Sequence, residues 1–284
     1  MSEPTLIDVR NITYSYPVER KRSGGEPERP ALRGLSLSVR QGEYLVIAGH
    51  NGSGKSTLAR HCNALLAPEA GSVLVAGMDT RDRSRQRAIR DMVGMIFQNP
   101  DNQIIATLVE DDVAWALTVR GLPASEIRAR VAAALAAVDI ESLRGLPPHR
   151  LSGGQRQRLA IAGVLALRPR CIIADEATAL LDPLSRDDIV ALLHQLNRER
   201  GLTIIQVTHL LQEAALADRI VVMERGEIAM DGTPVAIFAD LERLRQLKLA
   251  IPEPIELADR LRAAGARISR KALTLDAIAR EIAG

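Results

Sequence analysis

Aromatic side chains are scarce in this chain: two Phe, three Tyr and one Trp, 2% of 284 residues. A protein that stacks successive bases needs more rings, which excludes nucleic-acid binding of that kind. Charge of one sign is missing too. Lys and Arg number 37 against 35 Asp and Glu, a formal net charge of +2. That balance argues against a polybasic patch for nucleic acid or lipid as the main activity. No run approaches the roughly 18 consecutive apolar residues that a membrane-spanning helix needs. The N-terminus opens on Ser2, Glu3 and Pro4 and lacks the basic-then-apolar pattern of a signal peptide. The two cysteines, Cys62 and Cys171, sit in apolar stretches without a CxxC or Cys/His pairing pattern. They read as reduced core residues, not as a disulfide or a metal site. Lysine is rare as well, at Lys21, Lys55, Lys248 and Lys271. A lysine inside a motif is therefore informative.

What is present is ordinary globular material, 46% hydrophobic and 25% charged. The length suits one large domain, or one and a half. Alternation predicts half-buried strands at Thr5–Thr13 and Leu35–Val39. Short apolar runs at Glu43–Ala48, Val73–Val75, Val93–Phe97, Cys171–Ala174, Thr203–Val207 and Arg219–Met223 predict further strands, several of them buried. Residues 17–30, rich in Gly, Pro and charge, predict a loop. Helical patterns cover Ser56–Leu66, about 106–139 with a break near Gly121 to Pro123, Gly153–Leu167 and Leu184–Glu199. Alternating strands and helices imply a mostly parallel α/β sheet. After about Gly232 the pattern changes to short amphipathic helices, and residues 240–284 read as a small C-terminal appendage.

Three motifs carry chemistry. Gly49, His50, Asn51, Gly52, Ser53, Gly54, Lys55 and Ser56 fit the phosphate-loop pattern G-x-x-x-x-G-K-[ST], between an apolar strand and a helix. Glycines let the backbone curl so that its N–H groups face a phosphate. The helix adds its positive end, Lys55 a point charge for the β- and γ-phosphates, and the Ser56 hydroxyl a ligand for Mg²⁺. Asp175 and Glu176 close a buried strand, at the sheet edge where α/β proteins bind ligands. Asp175 is expected to hold Mg²⁺, and Glu176 to polarise the attacking water. Leu151-Ser152-Gly153-Gly154-Gln155 opens a helix and offers a second anion site. Two phosphate clamps on separate helices suit a head-to-tail dimer in which each chain completes the other's site.

With these motifs in this order, the chain resembles the ABC transporter ATPases over residues of about 5–235. Leu-Ser-Gly-Gly-Gln is that superfamily's signature. The resemblance implies a P-loop NTPase fold of the ABC type: a mostly parallel core sheet, an N-terminal antiparallel β subdomain, a helical subdomain at about 100–168, and an ATPase domain over 1–239. It implies MgATP, with Thr57 beside the phosphate loop and Ser152, Gly153, Gly154 and Gln155 touching the partner chain's nucleotide. Gln98 matches the Q-loop, which senses Mg²⁺ and touches the membrane partner. Asp182 matches the D-loop at the dimer interface, and His209 the switch that contacts the γ-phosphate. Tyr16 matches the aromatic that stacks on adenine; Tyr14, two residues away and expected on the same strand face, stays open as the alternative.

Finer wording narrows the resemblance. Phe97 to Gln103 (FQNPDNQ), Val109 to Asp112 (VEDD) and Asp175 to Thr178 (DEAT) are similar to the ATPases of energy-coupling factor (ECF) transporters, importers of vitamins and transition-metal ions. Ala177 stands where the superfamily usually has Pro, and looks like the first of two nonidentical ECF ATPases. The implied partners are a paralogous ATPase, a transmembrane coupling protein and a substrate-binding membrane subunit, at the cytoplasmic face of the cell membrane, with no nucleic acid. A homodimer stays open, because cobalt and nickel relatives use one ATPase type. The 240–284 segment resembles the dimer-supporting extension of these ATPases. Rival readings are an ATPase of a conventional ABC transporter, or a soluble ABC ATPase acting on DNA or ribosomes. The second is disfavoured, since no heptad run lies between Lys55 and Ser152.

Overall fold

The structure, a computed structural model, describes residues 4–17 and 30–283. Most of the predicted loop at 17–30 lies outside the described residues. The chain opens with the antiparallel pair β1 (Thr5–Tyr14) and β2 (Leu32–Arg40), then enters a second sheet through β3 (Tyr44–Gly49) and turns into α1 (Lys55–Cys62). It returns to the first sheet as β4 (Ala70–Val75) and β5 (Met78–Asp79), and crosses back through α2 (Gln86–Met92) and β6 (Val93–Ile96). A helical block follows: α3 (Val109–Val119), α4 (Ala124–Ala137) and α5 (Gly153–Leu165). Next come β7 (Cys171–Asp175), α6 (Pro183–Arg200), β8 (Thr203–Thr208), β9 (Arg219–Glu224) and β10 (Glu227–Gly232). Four short helices end the chain: α7 (Pro234–Ile237), α8 (Leu241–Gln246), α9 (Glu253–Ala263) and α10 (Leu275–Ala283).

The antiparallel sheet has the order β2-β1-β4-β5, and the larger one β10-β9-β3-β8-β7-β6. Strands β9, β3, β8, β7 and β6 are parallel, and β10 is an antiparallel edge. Every residue of β3 is buried, and its side chains alternate between two cores. Tyr44, Val46 and Ala48 join the cluster under the helical block, while Leu45 and Ile47 join the cluster beneath the antiparallel sheet and α1. This two-faced burial is why the strand reads as a continuous apolar run.

Three differences from the sequence expectations have physical causes. The predicted helix at Ser56–Leu66 stops at Cys62. Buried Asn63 donates its side-chain amide to the Val93 carbonyl at 2.8 Å, and Ala64 turns left-handed at φ +57°. Strand β10 was not predicted; its residues are half-buried or exposed and only Ile228 is β-branched. Helix α2 buries Ile89 alone, leaving no apolar stripe to read. Within 240–284, Leu241, Leu244, Leu247, Leu249 and Ile255 pack into the main core, and a separate small cluster forms around Ala258, Ile268, Ala272 and Ile278.

Candidate functional site

Strands β3, β7 and β8 are parallel neighbours, so the loops leaving them emerge at one edge of the sheet. The loop after β3 requires glycine twice. Gly49 has φ +151° and a Cβ there would lie 2.4 Å from the Met223 carbonyl oxygen. Gly54 has φ +103° and a Cβ would lie 2.6 Å from the Ala31 carbonyl oxygen. Backbone crosses too closely at both points for any side chain.

Lys55 opens α1 and is 3% exposed. Its Nζ donates to the carbonyls of Gly49 at 2.8 Å and His50 at 2.9 Å, and lies 3.9 Å from Glu176 Oε1. Burial pulls its pKa below the usual lysine value, and the charges of Glu176 and Asp175 oppose that shift. Ser56 Oγ donates to Asp175 Oδ1 at 2.7 Å. Burial raises the Asp175 pKa, with the Ser56 hydrogen bond acting against it. A buried carboxylate beside a hydroxyl is the hard-oxygen donor chemistry that Mg²⁺ takes, alongside phosphate oxygens.

Glu176 follows in the left-handed region at φ +51°, a conformation costing about 1–3 kcal/mol in a non-glycine residue. Its N–H donates to the Val207 carbonyl at 2.9 Å. Glu176 Oε1 is 3.8 Å from His209 Nδ1, one residue past β8. One carboxylate oxygen thus lies within 4 Å of both the phosphate-loop lysine and the histidine. Lys55 and Glu176, but not His209, line an open cleft of about 670 Å³ together with Asn51, Gly52, Ser56, Thr57, Arg60, Phe97, Gln98 and Asp175 among others. The Gln98 segment is anchored by Gln103, whose amide oxygen accepts from the Phe97 N–H at 2.8 Å and whose amide nitrogen donates to the Met95 carbonyl at 3.2 Å. Gln103 stood in the quoted motif without a role; an amide six residues beyond Phe97 signals nothing by itself.

Ser152, Gly153, Gly154 and Gln155 lie outside this cleft. Ser152 caps α5: its hydroxyl accepts from the Gln155 N–H at 3.2 Å, and the Gln155 side chain accepts from the Ser152 N–H at 2.8 Å. Gly154 packs against α6, with Ser185 Oγ 3.0 Å from where its Cβ would be.

Residues 32–179 match the family model described as ABC transporter. The chain belongs to the ABC transporter family. It is 52% identical to the energy-coupling factor transporter ATP-binding protein EcfA1 of Symbiobacterium thermophilum, over 97% of this chain and 96% of that one. The EcfA1 of Bacillus subtilis is 43% identical over 99% and 98%. Among solved structures, cbiO1 of Clostridium perfringens, described as part of the ABC transporter complex cbiONQ, superposes with a TM-score of 0.76 at 36% identity, covering 90% of this chain and all of that one. The dimeric cassette MJ0796 bound to ADP and Pi superposes at 0.71 with 31% identity, over 80% and 98%. The likeness spans the mixed α/β fold, the antiparallel sheet and the helical block together, and the chain is an ATP hydrolase of ECF transporter type.

For an ABC ATPase, two sequence expectations change. Tyr16 lies two residues past the end of β1, so the two tyrosines are not on one strand, yet their rings meet edge-on with centroids 5.2 Å apart. Tyr14 turns inward, edge-on to His61 at 4.8 Å. Tyr16 is 44% exposed, with its hydroxyl 3.2 Å from Thr57 Oγ1. His50, counted with the ATP-binding residues, directs its side chain elsewhere: Nε2–H donates to the Leu247 carbonyl at 2.6 Å, leaving its backbone to the phosphate loop. Asp182 caps α6 by accepting from the Ser185 N–H at 3.0 Å, and the Ser185 hydroxyl, with that N–H second, holds the Asp182 pKa below the usual carboxylate value. Its capping role was legible from Pro183 after it and went unread.

Proposed function

We propose that this chain binds and hydrolyses ATP at the interface of an ATPase pair, to energise an ECF-type importer of a vitamin or transition-metal ion. The observation that carries the reading is the placement of Glu176 within 4 Å of both Lys55 and His209, at a cleft that the signature residues do not line. The phosphate loop from Gly49 to Thr57 cradles the triphosphate, and Tyr16, exposed beside Thr57, stacks on adenine. Ser56, Asp175 and Gln98 would hold Mg²⁺, which supplies charge neutralisation at the phosphates. Glu176 orients and deprotonates the attacking water, and His209 donates to the γ-phosphate. The partner chain's equivalents of Ser152, Gly153, Gly154 and Gln155 complete the site with a helix N-terminus, while Asp182 lies at the contact between chains.

The partners follow from the same reading: a paralogous ATPase, a transmembrane coupling protein docking near Gln98, and a substrate-binding membrane subunit, with residues 240–284 supporting the ATPase contact. The chain then works at the cytoplasmic face of the membrane as a peripheral subunit; among the described residues no helix is long and apolar enough to cross a bilayer. Affinity purification from native membranes tests this. A paralogous ATPase together with a membrane coupling subunit is the expected yield. Ribosomal proteins or DNA in their place would overturn it.

A further inference from the structure

A second polar cluster is built from residues to which no motif gave a role: Thr178 at the end of the DEAT run, Gln206 and Glu213. Glu213 sits in a short 3-10 turn, Leu211–Ala214, with a side chain only 2% exposed. A carboxylate in such a place is costly unless its oxygens are matched by donors. Both are. Thr178 Oγ1 donates to Oε1 at 2.7 Å, and Gln206 Nε2 donates to Oε2 at 2.7 Å. Gln206 is held in turn by the buried Tyr44 hydroxyl, which donates to its amide oxygen at 2.5 Å. Arg186 Nε stands 3.9 Å from Oε1.

The placement of these donors is what matters. Thr178 lies two residues after Glu176, and Gln206 three residues before His209. The ladder between β7 and β8 ends at the pair Asp175 and Val207, with one further bond from the Glu176 N–H. Beyond that point no ladder bond fixes the distance between the two loops. Glu213, four residues past His209 in the same segment, reaches Thr178 in the Glu176 loop with one oxygen and is anchored with the other to Gln206 inside β8. Apolar side chains would pack the same turn at lower cost, so a buried carboxylate that ties the His209 segment to the Glu176 loop and to β8 points to positioning.

We infer that Glu213 is a positioning residue, whose carboxylate clamps the Glu176 and His209 loops at their reacting separation. The inference rests on the proposed roles of Glu176 and His209. Thr178→Val removes one donor at nearly constant volume, and Thr178→Ser keeps it. In the full chain with its copurifying partners, Thr178→Val is expected to lower kcat about 10- to 100-fold, the scale of a small misplacement of a reacting group. KM for ATP should stay at the parental value, the thermal midpoint should drop by a few degrees because one buried carboxylate oxygen loses its donor, and Thr178→Ser should restore both kcat and the midpoint. Adding Thr178→Val to Glu213→Gln should cost less than it does in the parent, since the clamp is already broken.

A Thr178→Val protein with kcat within about twofold of the parent sinks the inference. So does a joint loss of kcat, ATP affinity and thermal midpoint in both Thr178 variants, which marks a merely structural contact. Glu176→Gln serves as the control: parental turnover there would overturn the proposed base itself, a different failure from full activity in Thr178→Val.

Discussion

The two helix starts proposed to meet phosphate, at α1 and α5, are built on opposite principles. At α1, charge is gathered in advance: Lys55 and Asp175 are buried, Glu176 is held at φ +51°, and both glycines are forced by crossing backbone. At α5, the ends of Ser152 and Gln155 satisfy one another in a capping box, and Ser152 is exposed. The first region costs the fold stability to hold itself ready, because desolvated charges and a left-handed glutamate are both unfavourable. The second carries no such cost; its capping box stabilises the helix. In the proposed reading, residues that meet a triphosphate within one chain are stored under strain, and residues that meet another chain's nucleotide are stored at rest.

The largest expected effect breaks the first region. Lys55→Ala removes the charge that reaches both loop carbonyls and Glu176. ATP affinity should fall at least about 30-fold, the loss typical when one member of a buried charged contact is truncated. Binding of a fluorescent ATP analogue to the purified chain measures this, and parental affinity would falsify the phosphate-loop assignment.

An intermediate effect separates the two regions. Ser152→Ala removes the cap, at about 0.5–2 kcal/mol of stability. Nucleotide binding to the isolated chain should be unchanged, because the signature does not line the cleft. Hydrolysis in the assembled pair should fall about 10-fold or more, the worth of a hydrogen bond to a charged group. Should binding to the isolated chain fall as well, the signature would be acting in cis and the contrast would fail.

The contrast also explains what was legible in the sequence. The phosphate loop, the Asp175–Glu176 pair and the signature are local runs, and their chemistry demands particular residues at particular spacings. The strands were legible because β3 and β7 are buried on both faces and therefore apolar throughout. Glu213 and Gln206 were not, and Thr178 stood in the DEAT run without a role, since a clamp assembled from two loops and a strand leaves each member looking ordinary in its own segment. Gln206 read only as part of a strand, and Glu213 as one acidic residue among 35 Asp and Glu. Ser152 and Asp182 stand in motifs expected to meet a partner chain, and their side chains also cap α5 and α6. The end of α1 was misjudged because the bond from Asn63 to Val93 joins segments 30 residues apart.

The smallest expected effect tests the strain directly, through Asp175. Burial raises its pKa above the ordinary aspartate value, and the Ser56 hydrogen bond offsets only part of that shift. The sign follows from linkage. A carboxyl whose folded value exceeds its unfolded one binds its proton more tightly in the native state, so stability falls as pH rises from about 3.8 through the folded value, and stays lower above it. Asp175→Asn keeps an acceptor for the Ser56 hydroxyl and removes the charge. Its nucleotide-free thermal midpoint at neutral pH should therefore exceed the parent's. The gain should vanish below about pH 4, where both proteins carry a neutral side chain. Hydrolysis should be lost at the same time, because the variant gives up a ligand proposed for Mg²⁺. A midpoint equal to or below the parent's at neutral pH would mean that the charge is not stored at a cost, and the contrast between the two helix starts would dissolve.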